Sequence, residues 1–293
     1  EIVHRARSFC RAATGGEVVV TFDFRNAFNC VGRECIDAAV RERVPSLMRL
    51  FRLEYGQPSC LYFRATGTDG IPAERVIRST RGTRQGSASG AVFFCLAIQP
   101  ILDKLRSIPG VQVLAYMDDV TVLARDSASA SAAAELLHTW SSAMGLDLNK
   151  SKCEWLSRSA KAPRAKIAKQ PDDSDVRLLS PPPHASVAAT FTLRDGAIKL
   201  LGASVGFDAR AETAHLEARY KHHHDTFFRR LQLVNGAART AVLSRSGIPK
   251  LTYVTATHEP AVCMGITLAF DELVEFFFFF KKKKRGDPRP QAR

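Results

Sequence analysis

Three carboxylates carry most of the chemistry in this sequence. Asp23 closes a β-branched apolar run, and Asp118 and Asp119 stand together inside Leu114-Ala-Tyr-Met-Asp-Asp-Val-Thr-Val-Leu123. If the two segments lie side by side in one sheet, the three side chains converge at one end of it. Packed together without a counter-charge they repel, and their pKa values rise. A divalent cation removes that cost, and hard carboxylate oxygens favour Mg²⁺. Two such ions, roughly 3.5–4 Å apart, clamp the attacking and leaving oxygens of an in-line phosphoryl displacement. Taken alone, the Asp118-Asp119 pair better suits a hairpin turn, where aspartates hydrogen-bond the local backbone. The order of the segments tips the balance towards a metal site: strand then Asp, Gly-rich turn then helix, apolar-Asp-Asp-apolar.

The elements that must position these groups follow from the hydrophobic pattern. Residues 17–23 read as a buried strand, and 33–43 as a helix ended by Pro45. Residues 60–66 and 74–79 read as two strands around the turn Gly67-Thr-Asp-Gly70. Gly82-Thr-Arg-Gln-Gly86 opens a long apolar helix over 87–105. Residues 111–124 form a second hairpin with Asp118-Asp119 at its tip, and the Ala-rich stretch 127–144 is helical. The proline-rich stretch 157–183 reads as a loop or insertion. A strand pair is expected over 188–206, then helix over 210–256 with a break near Gly247-Ile-Pro249.

Composition bounds the class. The chain has 293 residues, 45% hydrophobic and 24% charged, which is globular usage for one or two domains. Its 42 Lys and Arg against 29 Asp and Glu leave +13, so a polyanion is the first partner to test, nucleic acid ahead of a membrane surface. The apolar stretch 91–98 is stopped by Gln99 and Pro100, short of the roughly 20 residues that span a bilayer, and no membrane partner is expected. Seven scattered cysteines without a C-x-x-C pair suit free thiols in a reducing compartment. His222-His-His224 cannot share one ion well if helical, because consecutive residues point in different directions. The basic positions Arg158, Lys161, Arg164, Lys166 and Lys169 suit either template phosphates or a solvated linker. Phe276 to Phe280 and the run that follows from Lys281 read as translated homopolymer. Seven basic residues against Asp287 in 281–293 account for nearly half of the excess charge.

Phe22-Asp-Phe-Arg-Asn-Ala-Phe28, Gly82-Thr-Arg-Gln-Gly86 and Tyr116-Met-Asp-Asp119 resemble motifs A, B and C of a reverse transcriptase, in the family's order. Gly145-Leu-Asp-Leu-Asn-Lys-Ser-Lys152 resembles motif D, and Lys199-Leu-Leu-Gly202 motif E. Among such enzymes the chain is most similar to those of non-LTR retrotransposons. Its motif B and Leu243-Ser-Arg-Ser-Gly-Ile-Pro-Lys250 resemble the trypanosomatid type. The resemblance implies an α+β fold: a polymerase palm with a mainly antiparallel sheet and flanking helices, followed by a helical thumb. It implies domains at 1–206 (palm with partial fingers), 207–260 (thumb-like) and 261–293 (low-complexity basic tail).

The implied activity is RNA-directed DNA synthesis, with an RNA template, a DNA primer and dNTPs as partners and two Mg²⁺ ions, replaceable by Mn²⁺, as cofactors. Its setting would be intracellular, in the nucleus. By the same resemblance Asp23, Asp118, Asp119 and Lys152 are catalytic, and the metal ligands are Asp23, Phe24 through its carbonyl, Asp118 and Asp119. Phe28, Gln85, Gly86 and Met117 face the nucleotide, with Phe28 colliding with a ribose 2′-hydroxyl. Arg84 and Tyr116 face template and primer. Lys152, with Lys150 two residues away, stands where the family's leaving-group acid lies. Sixteen residues precede Glu17, so a chain truncated in the fingers is expected, and Arg5, Arg7 and Arg11 are not assigned as replacements. Asn29 and Asn26 depart from the Asp and Lys common in relatives. The alternative to an active polymerase is an inactive remnant that binds nucleic acid through charge alone.

Overall fold

The computed structural model describes residues 1–66, 72–158, 191–194 and 196–278. Contacts divide the chain into two compact units, Thr14–Asp195 and Glu1–Ala13 with Gly196–Arg293. The first helix, α1 (Ile2–Arg11), belongs to the second of these. The unit Thr14–Asp195 runs β1 (Val18–Phe22), α2 (Ala27–Cys30), α3 (Arg33–Arg43), a 3₁₀ turn, α4 (Met48–Tyr55), β2 (Ser59–Thr66) and β3 (Pro72–Ser79). It continues with α5 (Ala88–Arg106), β4 (Val111–Tyr116), β5 (Asp119–Ala124), α6 (Ser127–Ala143), β6 (Glu154–Ser157) and β7 (Thr192–Arg194).

The five-stranded sheet has the order β4-β5-β1-β6-β7, antiparallel except for the β6–β7 pair. β1 lies at its centre, which explains an unbroken Val-Val-Val run where alternation would mark a half-exposed strand. Val18, Val20 and Phe22 point into the main core with Phe93, Phe94, Ile101 and Leu105 of α5, while Val19 is as deeply buried on the opposite face. The α+β class and mainly antiparallel sheet are as expected. α5 runs through Pro100 to Arg106, in line with the helix expected over 87–105. It is long and apolar enough to cross a membrane, but its Phe93, Ile101 and Leu105 are core residues of this sheet. Asp126 caps α6 by accepting from the Ser129 N–H.

The second unit holds β8 (Ala197–Leu200), β9 (Ala203–Gly206), α7 (Ala209–Leu231), α8 (Gly236–Val242), a π turn at Leu243–Gly247, α9 (Ile248–Thr257) and α10 (Pro260–Phe278). β8 and β9 join through Leu201 and Gly202, both at positive φ, a type I′ hairpin turn. Leu216, Val254, Val262 and Ile266 form one apolar cluster of this unit, and Phe228, Leu231, Leu243 and Phe270 another. The contact boundary falls at 195/196 rather than 206/207. Residues 261–278, read from sequence as tail, are the last helix, because Val262, Ile266 and Phe270 recur at helical spacing and are buried.

Arg7 and Arg11 serve this unit too. Arg7 donates to Glu212 (2.6 Å), the Thr257 carbonyl (2.5 Å) and the Ser204 carbonyl (3.0 Å), and Arg11 to Glu212 (2.5 Å). His224 packs its ring edge-on against Phe270, and among the described residues no metal-holding group forms around His222-His-His224. The turn Gly67–Gly70, the basic positions 161–169 and the Lys281 run lie outside the described residues.

Candidate active site

β1 and β5 bring the three aspartates to one sheet end. Their antiparallel register sets Phe22 opposite Val120, so Asp23 leaves β1 beside Asp119, the first residue of β5. The β4–β5 hairpin pairs Tyr116 with Asp119, leaving Met117 and Asp118 as a two-residue turn. Met117 has φ +56° and Asp118 has no positive φ, the pattern of a II′ turn that glycine ordinarily supplies. A side chain held there costs about 1–3 kcal/mol and persists only where its surroundings fix it. The Met117 thioether accordingly sits 3.7 Å from the Cys95 thiol of α5.

Asp23 and Asp118 are half-buried, whereas Asp119 is exposed. Among the described residues, neither the Asp23 nor the Asp118 carboxylate has an ion-pair partner. The expected packing of three carboxylates into one cluster is not seen, since among the described residues no three acidic, Cys or His side chains stand close enough to hold an ion. The reason is local: Asp118 projects from the turn while Asp119 is already a strand residue. The donor set itself fits a hard divalent cation, with the half-buried oxygens of Asp23 and Asp118 unpaired with any cation among the described residues.

The segment 145–152 is laced to the same strand end through main-chain bonds. Asn149 N–H donates to the Asp23 carbonyl (2.8 Å), and Arg25 N–H to the Asp147 carbonyl (2.8 Å). Phe24 is buried and forms an antiparallel bridge with Leu148, which fixes the peptide following Asp23. Cys153 lies 3.9 Å from the Asp23 carbonyl, its thiol pushed up to about 11 by burial. Lys152 is exposed in the turn before β6, and Lys150 is half-buried.

The glycine-rich turn docks on the loop after Asp23. Gly82 N–H donates to the Val31 carbonyl (2.8 Å) and Thr83 N–H to the Phe28 carbonyl (2.6 Å). Phe28 is half-buried, stacked on Phe94 at 4.5 Å between ring centroids. Gln85 and Gly86 are exposed beyond this anchor, as is Arg84. The Arg84 N–H donates to the Tyr55 hydroxyl (3.1 Å), and its guanidinium to Ser59 Oγ (3.2 Å). Tyr116 is exposed at the hairpin end. A cleft of 510 Å³ opens beside Met117, lined also by Arg43, Val92, Cys95, Leu96 and Gln99.

Sequence reasoning passed over Arg33 and Tyr55. Arg33 donates to the Gly82 carbonyl (3.2 Å) and to Ser79 Oγ (3.2 Å), and lies over the Tyr55 ring. Together they hold the glycine turn from beneath. Neither stands at a spacing that marks it, because both act through tertiary contacts.

The family described as "Reverse transcriptase (RNA-dependent DNA polymerase)" matches residues 2–202. A 115-residue stretch is 35% identical to the "Retrotransposable element SLACS 132 kDa protein" of Trypanosoma brucei gambiense, covering 38% of this chain and 9% of that protein. Among solved structures, apo telomerase from Candida tropicalis is similar with a TM-score of 0.43 and 8% identity, over 66% of this chain and 36% of that one. Telomerase from Candida albicans, in complex with a fragment of telomeric RNA, has a TM-score of 0.42 and 11% identity, over 69% and 35%. The chain thus spans about a tenth of the retrotransposable-element protein and about a third of the telomerases.

Proposed function

Because this chain belongs to the reverse transcriptase (RNA-dependent DNA polymerase) family, we propose that it extends a DNA primer on an RNA template by adding deoxynucleotides. The match to a retrotransposable-element protein agrees with the lineage indicated by the five motifs. One observation supports the activity above the others: the β1–β5 register brings Asp23 beside the Tyr116-Met-Asp-Asp119 hairpin.

The primer 3′-oxygen bonds to the α-phosphorus as the bond to the bridging oxygen breaks, and pyrophosphate leaves. Asp23, Asp118 and the Phe24 carbonyl, with Asp119 in support, would hold divalent metal, Mg²⁺ or Mn²⁺. When bound, such ions lower the pKa of the attacking hydroxyl and neutralise the triphosphate. Phe28, kept in place by Phe94 and the glycine turn, excludes a ribose 2′-hydroxyl. Gln85, Gly86 and Met117 face the incoming nucleotide and its template base, and Tyr116 the primer end. Arg84 binds template phosphate. Lys152, exposed beside the strand end, donates a proton to the leaving pyrophosphate. The unit Thr14–Asp195 is the palm, and the helices of the second unit are the thumb.

Primer extension on an RNA template with Mg²⁺ and dNTPs tests this. Asp118→Asn should lower the rate at least about a hundredfold, and Phe28→Val should admit ribonucleotides. Absence of extension by the parent chain, or extension indifferent to Asp118→Asn, would refute it and leave only charge-driven binding.

A further inference from the structure

The hairpin β2–β3 is a two-stranded ribbon outside the five-stranded sheet. It carries large apolar side chains on both faces, all in solvent. Register and alternation place Leu61, Phe63, Arg75 and Ile77 on one face, and Tyr62, Arg64, Glu74, Val76 and Arg78 on the other. Tyr62 is 69% exposed, Phe63 58%, and Leu61, Val76 and Ile77 54% each. A ribbon of this kind is marginal alone, and so much solvated apolar surface marks a binding face.

The charges on the ribbon select the ligand. Its described side chains carry three arginines and one acid, and Glu74 lies 3.9 Å from Arg64. Arg75 and Arg78 make no ion pair among the described residues. Arg75 stands directly across from Phe63, and Arg78 diagonally from Tyr62, so each aromatic ring has a guanidinium within side-chain reach. Rings beside arginines offer a stacking surface for bases and a cation for phosphates. Unpaired bases are required, because a base inside a duplex has no free face.

We propose that the β2–β3 ribbon is a platform for single-stranded RNA. On one face Phe63 stacks a base while Arg75 binds its phosphate, and on the other Tyr62 and Arg78 do the same. The ribbon is rooted at the glycine turn: Arg84 reaches Ser59 at one strand end, and Arg33 reaches Ser79 at the other. A strand lying on the ribbon is therefore delivered to the loop assigned above to the template. That delivery, and the choice of RNA over DNA, rest on the polymerase reading; the stacking platform does not.

Fluorescence polarisation with a fluorescein-labelled 20-nucleotide single-stranded RNA and the 293-residue chain tests the platform. The double variant Tyr62→Ala/Phe63→Ala should bind at least about tenfold more weakly, and Tyr62→Phe/Phe63→Tyr should stay within about twofold of the parent. Arg75→Ala/Arg78→Ala should flatten the dependence of log K on log salt by roughly 0.7 per lost phosphate contact. All four side chains are solvated, so melting temperatures should not move; a variant that melts early is replaced by its single substitutions. Extension of a preannealed primer–template is measured alongside, so loss of binding with extension intact separates the platform from the polymerase reading. Equal binding by the alanine variant, or equal affinity of the parent for fully paired RNA, overturns the proposal. A parent chain that dimerises in solution and becomes monomeric on Tyr62→Ala/Phe63→Ala, with RNA binding unchanged, also overturns it by making the ribbon a protein interface.

Discussion

Gly82 is the position where a single methyl group does most damage to the site. Its φ is +71°, and an added Cβ would fall 2.4 Å from the Phe28 carbonyl oxygen and 2.5 Å from the Asn29 backbone. Neither neighbour can swing aside as a side-chain tip would. Gly82 is itself pinned, its N–H on Val31 and its carbonyl under Arg33. Gly82→Ala therefore costs about 1–2 kcal/mol for the left-handed backbone and about 1–3 kcal/mol for the forced backbone shift. For a unit of this size the sum lowers the melting temperature by roughly 5–15 °C. Gly86 supplies the control: its φ is +81°, but nothing lies within 4 Å of its added Cβ. Gly86→Ala should lose only the conformational part, about 1–2 kcal/mol. Circular dichroism melts measure both, and primer extension with ribonucleotides measures whether the displaced Phe28 still discriminates. The reasoning fails if Gly82→Ala melts within about 2 °C of the parent, or if Gly86→Ala is equally damaging.

Acid should loosen the second unit. His258 Nε2 accepts from the Ser204 N–H (2.9 Å) and Nδ1 faces the Val254 carbonyl (2.9 Å), so the folded chain needs the neutral ring. Burial holds its pKa below the ordinary 6.5; the unfolded chain takes up the proton first, and stability falls as pH drops below about 6.5. His224, also lowered by burial, acts in the same direction, so urea titrations of His258→Gln at pH 7.5 and 5.5 should show a smaller, not absent, difference. Arg7→Ala leaves the fully buried Glu212 carboxylate on Arg11 alone and removes the donor to the Thr257 and Ser204 carbonyls, and should cost about 1–3 kcal/mol in the same titrations; a cost below about 0.5 kcal/mol would show Arg7 to be idle. Thiol labelling at pH 8 should modify exposed Cys60 at once and spare Cys10, whose thiol burial pushes up to about 12, and Cys153, at about 11. Mass spectrometry showing early Cys153 modification would mean that the strand end beside Asp23 opens.

What could be read from sequence alone follows a physical division. Asp23, the Gly82 turn and Asp118 are legible because each combines a local conformational demand with an apolar run on a fixed side of it. A strand must end, a loop must accept positive φ, and a hairpin must turn. α3 and α5 are legible for the same reason, as their burial repeats along one helix face. The supports of the site were not legible, because they are made by residues whose partners lie far along the chain. Arg33 under Gly82 looks like any helix-start arginine, and Asn149 holds Asp23 only through backbone atoms. α1 shows the same limit from the other side. Its arginines, read alone, are unanchored charges near the start of the chain, yet Arg7 is buried because Glu212, 205 residues away, accepts from it. The ribbon β2–β3 inverts the case: its two strand runs around a turn are plain, but only the lack of a covering layer among the described residues makes Tyr62 and Phe63 meaningful. Sequence periodicity reports that a face exists, whereas the tertiary structure reports whether the protein itself covers it. A face that no described residue covers, aromatic and flanked by arginines, is the surface proposed above to stack unpaired bases.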